Sequence, residues 1–213
     1  MPPVSRAAIV ERAHALQDAE GLGAVTMRRL GAELGIDPAL IYRRFGSKDE
    51  ILHEVGDRIL ALALQGVATT GDWRADLRDL CLRLRAAHLA QPQLASLVRS
   101  EPPRQPAELL LTDRMLGALR RAGFGPDDAA DGYHALVGLT LGAAAIDAPV
   151  AQLPEAERAR LYERWRADYR GLDPARFGDT VAVADRLYRG SAERRFAVAL
   201  DLMLDALAAR ATP

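Results

Sequence analysis

An all-α fold follows from three features of this sequence. Apolar residues recur at helical spacings along nearly its whole length, no stretch alternates at the period of a strand, and aromatic residues are only 5% while alanine and leucine abound. Glycines and prolines cut the pattern into segments of helix length.

The first segment opens at Ser5, a residue type that caps helices, and carries Ile9, Ala13 and Leu16 at i, i+4, i+7 until Gly21 and Gly23 stop it. Thr26 caps a second helix with Met27, Leu30 and Leu34 on one face and Gly35 as its end. Asp37 caps a third, with Pro38 at its first position and Ile41 and Phe45 as a buried pair, and Gly46 closes it. Ser47 begins a fourth, where Glu50 three residues on completes a capping box in "SKDE". Its apolar face, Ile51, Leu52, Val55, Ile59 and Leu62, predicts a helix to about Ala68, long enough to pass from one domain into the next. "TTGDW" marks a boundary, and Asp72 caps a helix from Trp73 to about Ala90. Pro92 opens a short helix that stops before the loop "EPPRQP", and further helices are expected near 107–122, 127–147, 154–170 and 192–210. "GLDPARFGDT" reads as irregular, with a helix near Val181–Tyr188. The resulting division is residues 1–48 and 49–213.

Charge and cysteine content narrow the function. The net charge is -1, yet residues 1–48 carry seven basic against five acidic groups. Cys81 stands alone, which excludes an intrachain disulfide and a cysteine-built zinc site. "MPPVSRAAIVERAHAL" lacks the apolar core of a secretion signal, and the uncharged run Ala135–Ile146 falls short of the about 20 residues a bilayer requires. A cytoplasmic protein without membrane contact is the expectation. Lys48 is the only lysine among many arginines, a bias expected of a GC-rich bacterial genome. No phosphate loop, dinucleotide fingerprint, HExxH or Ser-His-Asp order occurs, and His14, His53, His88 and His134 show no ligand spacing. No enzyme, no cofactor and no metal are expected.

"TMRRLGAELGIDPALIYRRFGSKDEIL" holds two short helices joined at Gly35-Ile36-Asp37, the pattern of a helix-turn-helix. With Leu30, Leu34, Ile36, Ile41 and Phe45 facing inward, Pro38, Ala39, Leu40, Tyr42, Arg43 and Arg44 remain outside. A helix of this kind fits the major groove of double-stranded DNA, its small leading residues near base edges and its cations on phosphates.

The run from Thr26 through Leu34-Gly35-Ile36, Leu40-Ile41-Tyr42, Phe45 and Gly46-Ser47-Lys48 resembles the tetracycline-repressor (TetR) family. The likeness continues more weakly through "DWRADLRDL", "RRAGFGPDDA" and "RRFAVALDLMLDALAAR". It implies DNA contacts from Thr26, Arg28, Pro38, Ala39, Leu40, Tyr42, Arg43, Arg44 and Lys48. It also implies a homodimer reading a palindromic operator, with a small-molecule effector bound in the second domain. Where the tetracycline-binding members carry histidines this chain has Leu64 and Val98, which argues against a tetracycline–magnesium ligand. Leu64, Leu84, His88, Val98, Arg99, Tyr133, His134 and Val137 are the candidate pocket residues. Tyr133 and His134 are neighbours on a helix, so at most one faces a cavity. Trp165 is a weaker candidate, and Cys81, amid leucines, reads as core. Gly138 and Gly142 form a small-residue stripe, and Phe196, Leu200, Met203 and Leu207 a seam for helix pairing; the resemblance implies that both form the dimer interface, the competing reading being a core seam within the chain. The competing function is a helical adaptor acting through protein partners, which leaves the basic third helix without a reason.

Overall fold

In the computed structural model, which describes residues 4–92 and 104–211, helices begin where a short polar side chain can accept the unpaired N–H groups of a first turn. Ser5 accepts from Ala8 N and opens α1 (Arg6–Glu20). Thr26 does so for α2 (Met27–Leu34), Asp37 for α3 (Pro38–Arg44) and Ser47 for α4 (Lys48–Ala63). Asp72 accepts from both Arg74 N and Ala75 N at the start of α5 (Trp73–Ala90). After it come α6 (Pro106–Arg121), α7 (Pro126–Ala151), α8 (Glu155–Arg170), α9 (Pro174–Val183) and α10 (Ala192–Arg210). Among the described residues there is no strand.

Several helix boundaries and one cap depart from the sequence reading. α3 ends at Arg44, because Phe45 takes an extended backbone that drops its ring into the core. The capping box is half formed: Glu50 N donates to Ser47, but the Glu50 carboxylate accepts from Gly46 N and not from Ser47 N. α4 stops at Ala63, short of Ala68, since Gly66 takes a positive φ of 71° and Arg83 donates to the carbonyls of Ala63 and Gln65. α9 is the plainest miss. Asp173 and Pro174 start it as Asp37 and Pro38 start α3, and the expected irregularity shrinks to a kink at Phe177.

Two hydrophobic cores form along the chain. Ile9, Leu30, Ile41 and Phe45 fill the first with Ile51 and Val55 of α4. Leu60, further along the same helix, and Leu64, just past its end, belong to the second, with Leu80, Met115, Leu136 and Leu200. The cores therefore part inside α4, between Ile59 and Leu60. A rigid helix rooted in both cores ties the position of one to the other.

α5 and α7 make the most extensive helix pair of the second core, and α6 and α10 pack against both. α7 is 26 residues long and by length and composition could cross a membrane, more than its uncharged run suggested. Here Gly132, Leu136, Thr140 and Ala144 line its buried face. Its opposite face is open, with Ile146 78% exposed, and so is α10 at Val198 and Leu202.

Candidate functional site

The crossing of α2 and α3 depends on Gly31. A Cβ at that position would lie 2.8 Å from Ile36 O and 3.0 Å from the Pro38 ring, so only a glycine lets the turn rest on the α2 backbone. Gly35 takes the left-handed conformation at φ 65°, while Ile36 N reaches back to Gly31 O and Gly35 N to Ala32 O. This paired closure ends α2 sharply and aims α3 outward.

Ile41 and Phe45 are fully buried and fix which side of α3 faces solvent. Ala39, Arg43 and Arg44 are exposed, as are Leu40 at 37% and Tyr42 at 57%, while Pro38 is half-buried against the turn. Leu40 and Tyr42 thus lie beside the two arginines on the outer face of the helix. Thr26 is exposed at the start of α2, its oxygen already accepting from Arg29 N.

Ion pairing then sorts the cations of this module. Arg29 is bound to Glu20 and Glu33, both at 2.9 Å, and Arg12 lies near Glu33. Arg28, Arg43 and Arg44 make no ion pair among the described residues, and Lys48 meets only a carbonyl, Leu22 O at 3.2 Å. The uncompensated positive charge thus sits on α2, α3 and the start of α4.

Arg6, absent from the sequence reading, locks these helices together. Its guanidinium lies 3.9 Å from the Phe45 ring centre, donates to Glu54 at 2.7 Å, and also reaches Glu50 and the carbonyl of Arg44. The hydrogen bond from Arg6, followed by that from Gly46 N, holds the Glu50 carboxyl below the usual carboxylate range. Glu50 and Glu54, one turn apart on one face, were the available signal, since two like charges so placed need a cation.

In the second domain the proposed pocket residues separate by burial. Leu64 and Leu84 are core residues, 5% and 4% exposed. His88 is half-buried, with Nδ1 2.9 Å from Leu84 O. Tyr133 and Val137 are half-buried against the core, and His134 is exposed with its ring edge on Tyr133. Thr112 donates to Glu108 O, so the Tyr133 hydroxyl is the donor in its 3.0 Å bond to Thr112. Val98 and Arg99 lie outside the described residues. Trp165 stands in an aromatic group with Tyr162 and Tyr188. The Cys81 thiol is buried, which pushes its pKa up to about 11 and leaves it inert.

The four residues of the expected seam pack within the single chain. Phe196, Leu200 and Leu207 are at most 7% exposed and Met203 packs beside them, all within this chain's own core. The helical period turns the next stripe outward: Val198 and Leu202 are 50% and 65% exposed. Gly138 and Gly142, in contrast, face solvent, with nothing within 4 Å of a Cβ built on either.

Two polar groups, the buried Arg85 and the half-buried Asp57, escaped sequence reading because nothing in local spacing marks them. Arg85, 4% exposed, pairs with Asp147 of α7 at 2.5 Å and lies over Phe196. Asp57 of α4 accepts from Ala107 N at 2.9 Å and Glu108 N at 3.1 Å, the first turn of α6. Burial raises the Asp57 carboxyl above its ordinary range, and the two N–H groups oppose that rise.

Two short helices joined by a tight turn, with an uncompensated cationic face and a shared helix leading to a larger helical core, define a helix-turn-helix DNA-binding transcriptional regulator. Residues 9–55 match the bacterial regulatory proteins of the tetR family, and residues 66–211 match the tetracyclin repressor-like C-terminal domain. The chain belongs to the TetR family. It is 28% identical over 178 residues to the HTH-type transcriptional repressor DrrR1 of Streptomyces coeruleorubidus, covering 83% of this chain but only 61% of that protein. An HTH-type transcriptional regulator of Saccharopolyspora erythraea is 29% identical over 192 residues, 87% of this chain and 81% of that protein. The crystal structure of the Streptomyces coelicolor TetR family protein ActR in complex with actinorhodin aligns with a TM-score of 0.85 at 27% identity, covering 99% of this chain and 100% of ActR.

Proposed function

We propose that this protein is a ligand-responsive, homodimeric repressor that binds a palindromic DNA operator in the cytoplasm and is released by a small hydrophobic molecule. The observation that carries the reading is the outer face of α3. Tyr42, Arg43 and Arg44 are exposed and the two arginines are unpaired, although carboxylates neutralise Arg29 and Arg6 close by. Arg28, Arg43, Arg44, Lys48, Tyr42 and Thr26 would hold phosphates, and Ala39 and Leu40, beside Pro38, would meet base edges.

A single such module reads half of a palindrome, so a second copy is needed, with recognition helices about 34–36 Å apart. Gly138, Gly142 and Ile146 of α7 and Val198 and Leu202 of α10 supply the unpartnered stripes on which two copies would meet.

Effector control would act through α4. Asp57 binds the first turn of α6, so a ligand that shifts α6 pulls on the helix that also carries Ile51 and Val55 of the DNA-binding core. Tyr133, His88 and Val137 are the half-buried groups left to face such a ligand. ActR, crystallised with actinorhodin and with (S)-DNPA, makes these two compounds the first to try. The test is operator affinity by fluorescence anisotropy with actinorhodin and (S)-DNPA. Release requires a ligand to weaken affinity at least tenfold. If compounds that bind the protein left affinity unchanged, the coupling free energy would be zero and release would be ruled out.

A further inference from the structure

The turn between α9 and α10 carries a charge imbalance that neither DNA binding nor the effector pocket uses. Arg186, Arg189, Gly190 and Arg194 line a concavity of about 540 Å³. None of the three guanidinium groups has a carboxylate or a side-chain acceptor among the described residues. Like charges gathered round one hollow repel each other unless an anion joins them.

Pairing on the far side of the same turn sharpens the contrast. Arg166 is bound to Glu163 at 2.6 Å, Arg170 to Glu163 and Asp185, and Arg195 to the Tyr162 hydroxyl at 2.9 Å. Glu163 and Asp185 are thus committed outside the hollow, and Glu193, beside Arg194, is held by its own backbone N–H and by Ser191. Serine 191 already caps α10 by accepting from Arg194 N, so the positive character of the hollow comes from side chains and not from a bare helix end.

The backbone bearing these side chains is held in place. Tyr188 has a φ of 54°, rare for a residue other than glycine, and its ring stacks between Tyr162 at 5.8 Å and Tyr169 at 6.2 Å. Trp165 meets it edge-on at 4.8 Å, Arg166 donates to its carbonyl, and Arg195 donates to the carbonyl of Gly190. Arg186 and Arg189 therefore project from a turn anchored on both sides of Tyr188, which lowers the cost of organising them round a ligand.

We propose that this turn is an oxyanion site, in which Arg186, Arg189 and Arg194 take the phosphate or carboxylate groups of a small, multiply charged molecule. Guanidinium forks match both groups with paired N–H donors. The hollow is of small-molecule size.

The test is thermal unfolding of the full chain at constant ionic strength, with chloride exchanged for inorganic phosphate in one arm and for succinate in another. The variants are Arg186→Gln/Arg189→Gln/Arg194→Gln, the milder Arg189→Gln, and a control, Arg160→Gln/Arg164→Gln, on the exposed face of α8. The expected result is a saturable rise in melting temperature for the parent and the control and none for the triple variant. Arg189→Gln should raise the half-saturating concentration about tenfold, the weight of one charge-assisted hydrogen bond. The stronger of the two arms identifies phosphate or carboxylate as the group held. Absence of a saturable response in both arms, or an equal response from parent and Arg189→Gln, would overturn the site. So would a loss of operator affinity in the triple variant in phosphate-free buffer, which would make these arginines DNA contacts.

Discussion

Replacing Asp57 by alanine removes the acceptor of Ala107 N and Glu108 N, at 2.9 and 3.1 Å, and with it the hydrogen-bonded tie from α4 to the start of α6. Loss of a helix-capping acceptor costs about 1 kcal/mol. Leaving the N–H groups without a partner adds up to about 1 kcal/mol more, and removing a desolvated carboxylate offsets part of this. A net loss of about 1–2 kcal/mol is expected. Asp57→Asn keeps the acceptor oxygen and discards the charge. Because burial raises the Asp57 carboxyl in the folded protein, its contribution to stability is full below the ordinary carboxylate range and is lost as pH rises through the raised value. The asparagine variant should therefore match or trail the parent in acid and gain on it toward neutrality. Urea unfolding of all three proteins from about pH 4 to pH 7.5 spans that range. Identical midpoints for parent and Asp57→Ala throughout would show that the carboxylate does not hold α6, and the α4–α6 route would then lose its physical basis. Where the route holds, Asp57→Ala also blunts ligand release while retaining operator binding.

Gly31→Ala should destabilise the N-terminal core by about 1–3 kcal/mol and weaken DNA binding, read by circular dichroism melting and anisotropy, because its Cβ would approach Ile36 O to 2.8 Å. Arg43→Ala should weaken binding to every duplex alike and lower the salt-dependence slope by about 1, measured across a salt titration. Ile146→Glu with Leu202→Glu, both solvent-facing in the single chain, should yield a folded monomer in sedimentation with operator affinity reduced at least tenfold. Cys81 should resist iodoacetamide at pH 8 in the native protein and react in urea, since burial holds its thiol near a pKa of about 11.

Local rules carried most of the helices. Ser5, Thr26, Asp37, Ser47 and Asp72 act as caps because each needs only its own next turn, and such chemistry is visible in sequence. The same rule was available at Asp173-Pro174 but was outweighed by the glycines at 171 and 178, so α9 was missed. Periodicity placed Phe196, Leu200 and Leu207 on one face of α10, yet it cannot say whether that face meets this chain or another. Only the packing of α10 onto the second core decides that, and it turns Leu202 outward instead. Asp57 and Arg85 were illegible for a different reason, and for Arg6 only the paired carboxylates Glu50 and Glu54 gave a sign. Each acts across 48 to 62 residues of sequence, where no spacing rule links donor to acceptor.

The central claim is that the α3 face reads DNA as one half of a symmetric pair, and selection of bound duplexes from a randomised pool tests it most directly. The parent and a Tyr42→Ala, Arg43→Ala variant would be run side by side across salt. An inverted repeat with half-site centres about 34–36 Å apart, enriched by the parent and lost in the variant, is the predicted result. No enrichment by the parent even at low salt, or the same enrichment by both proteins, would contradict it.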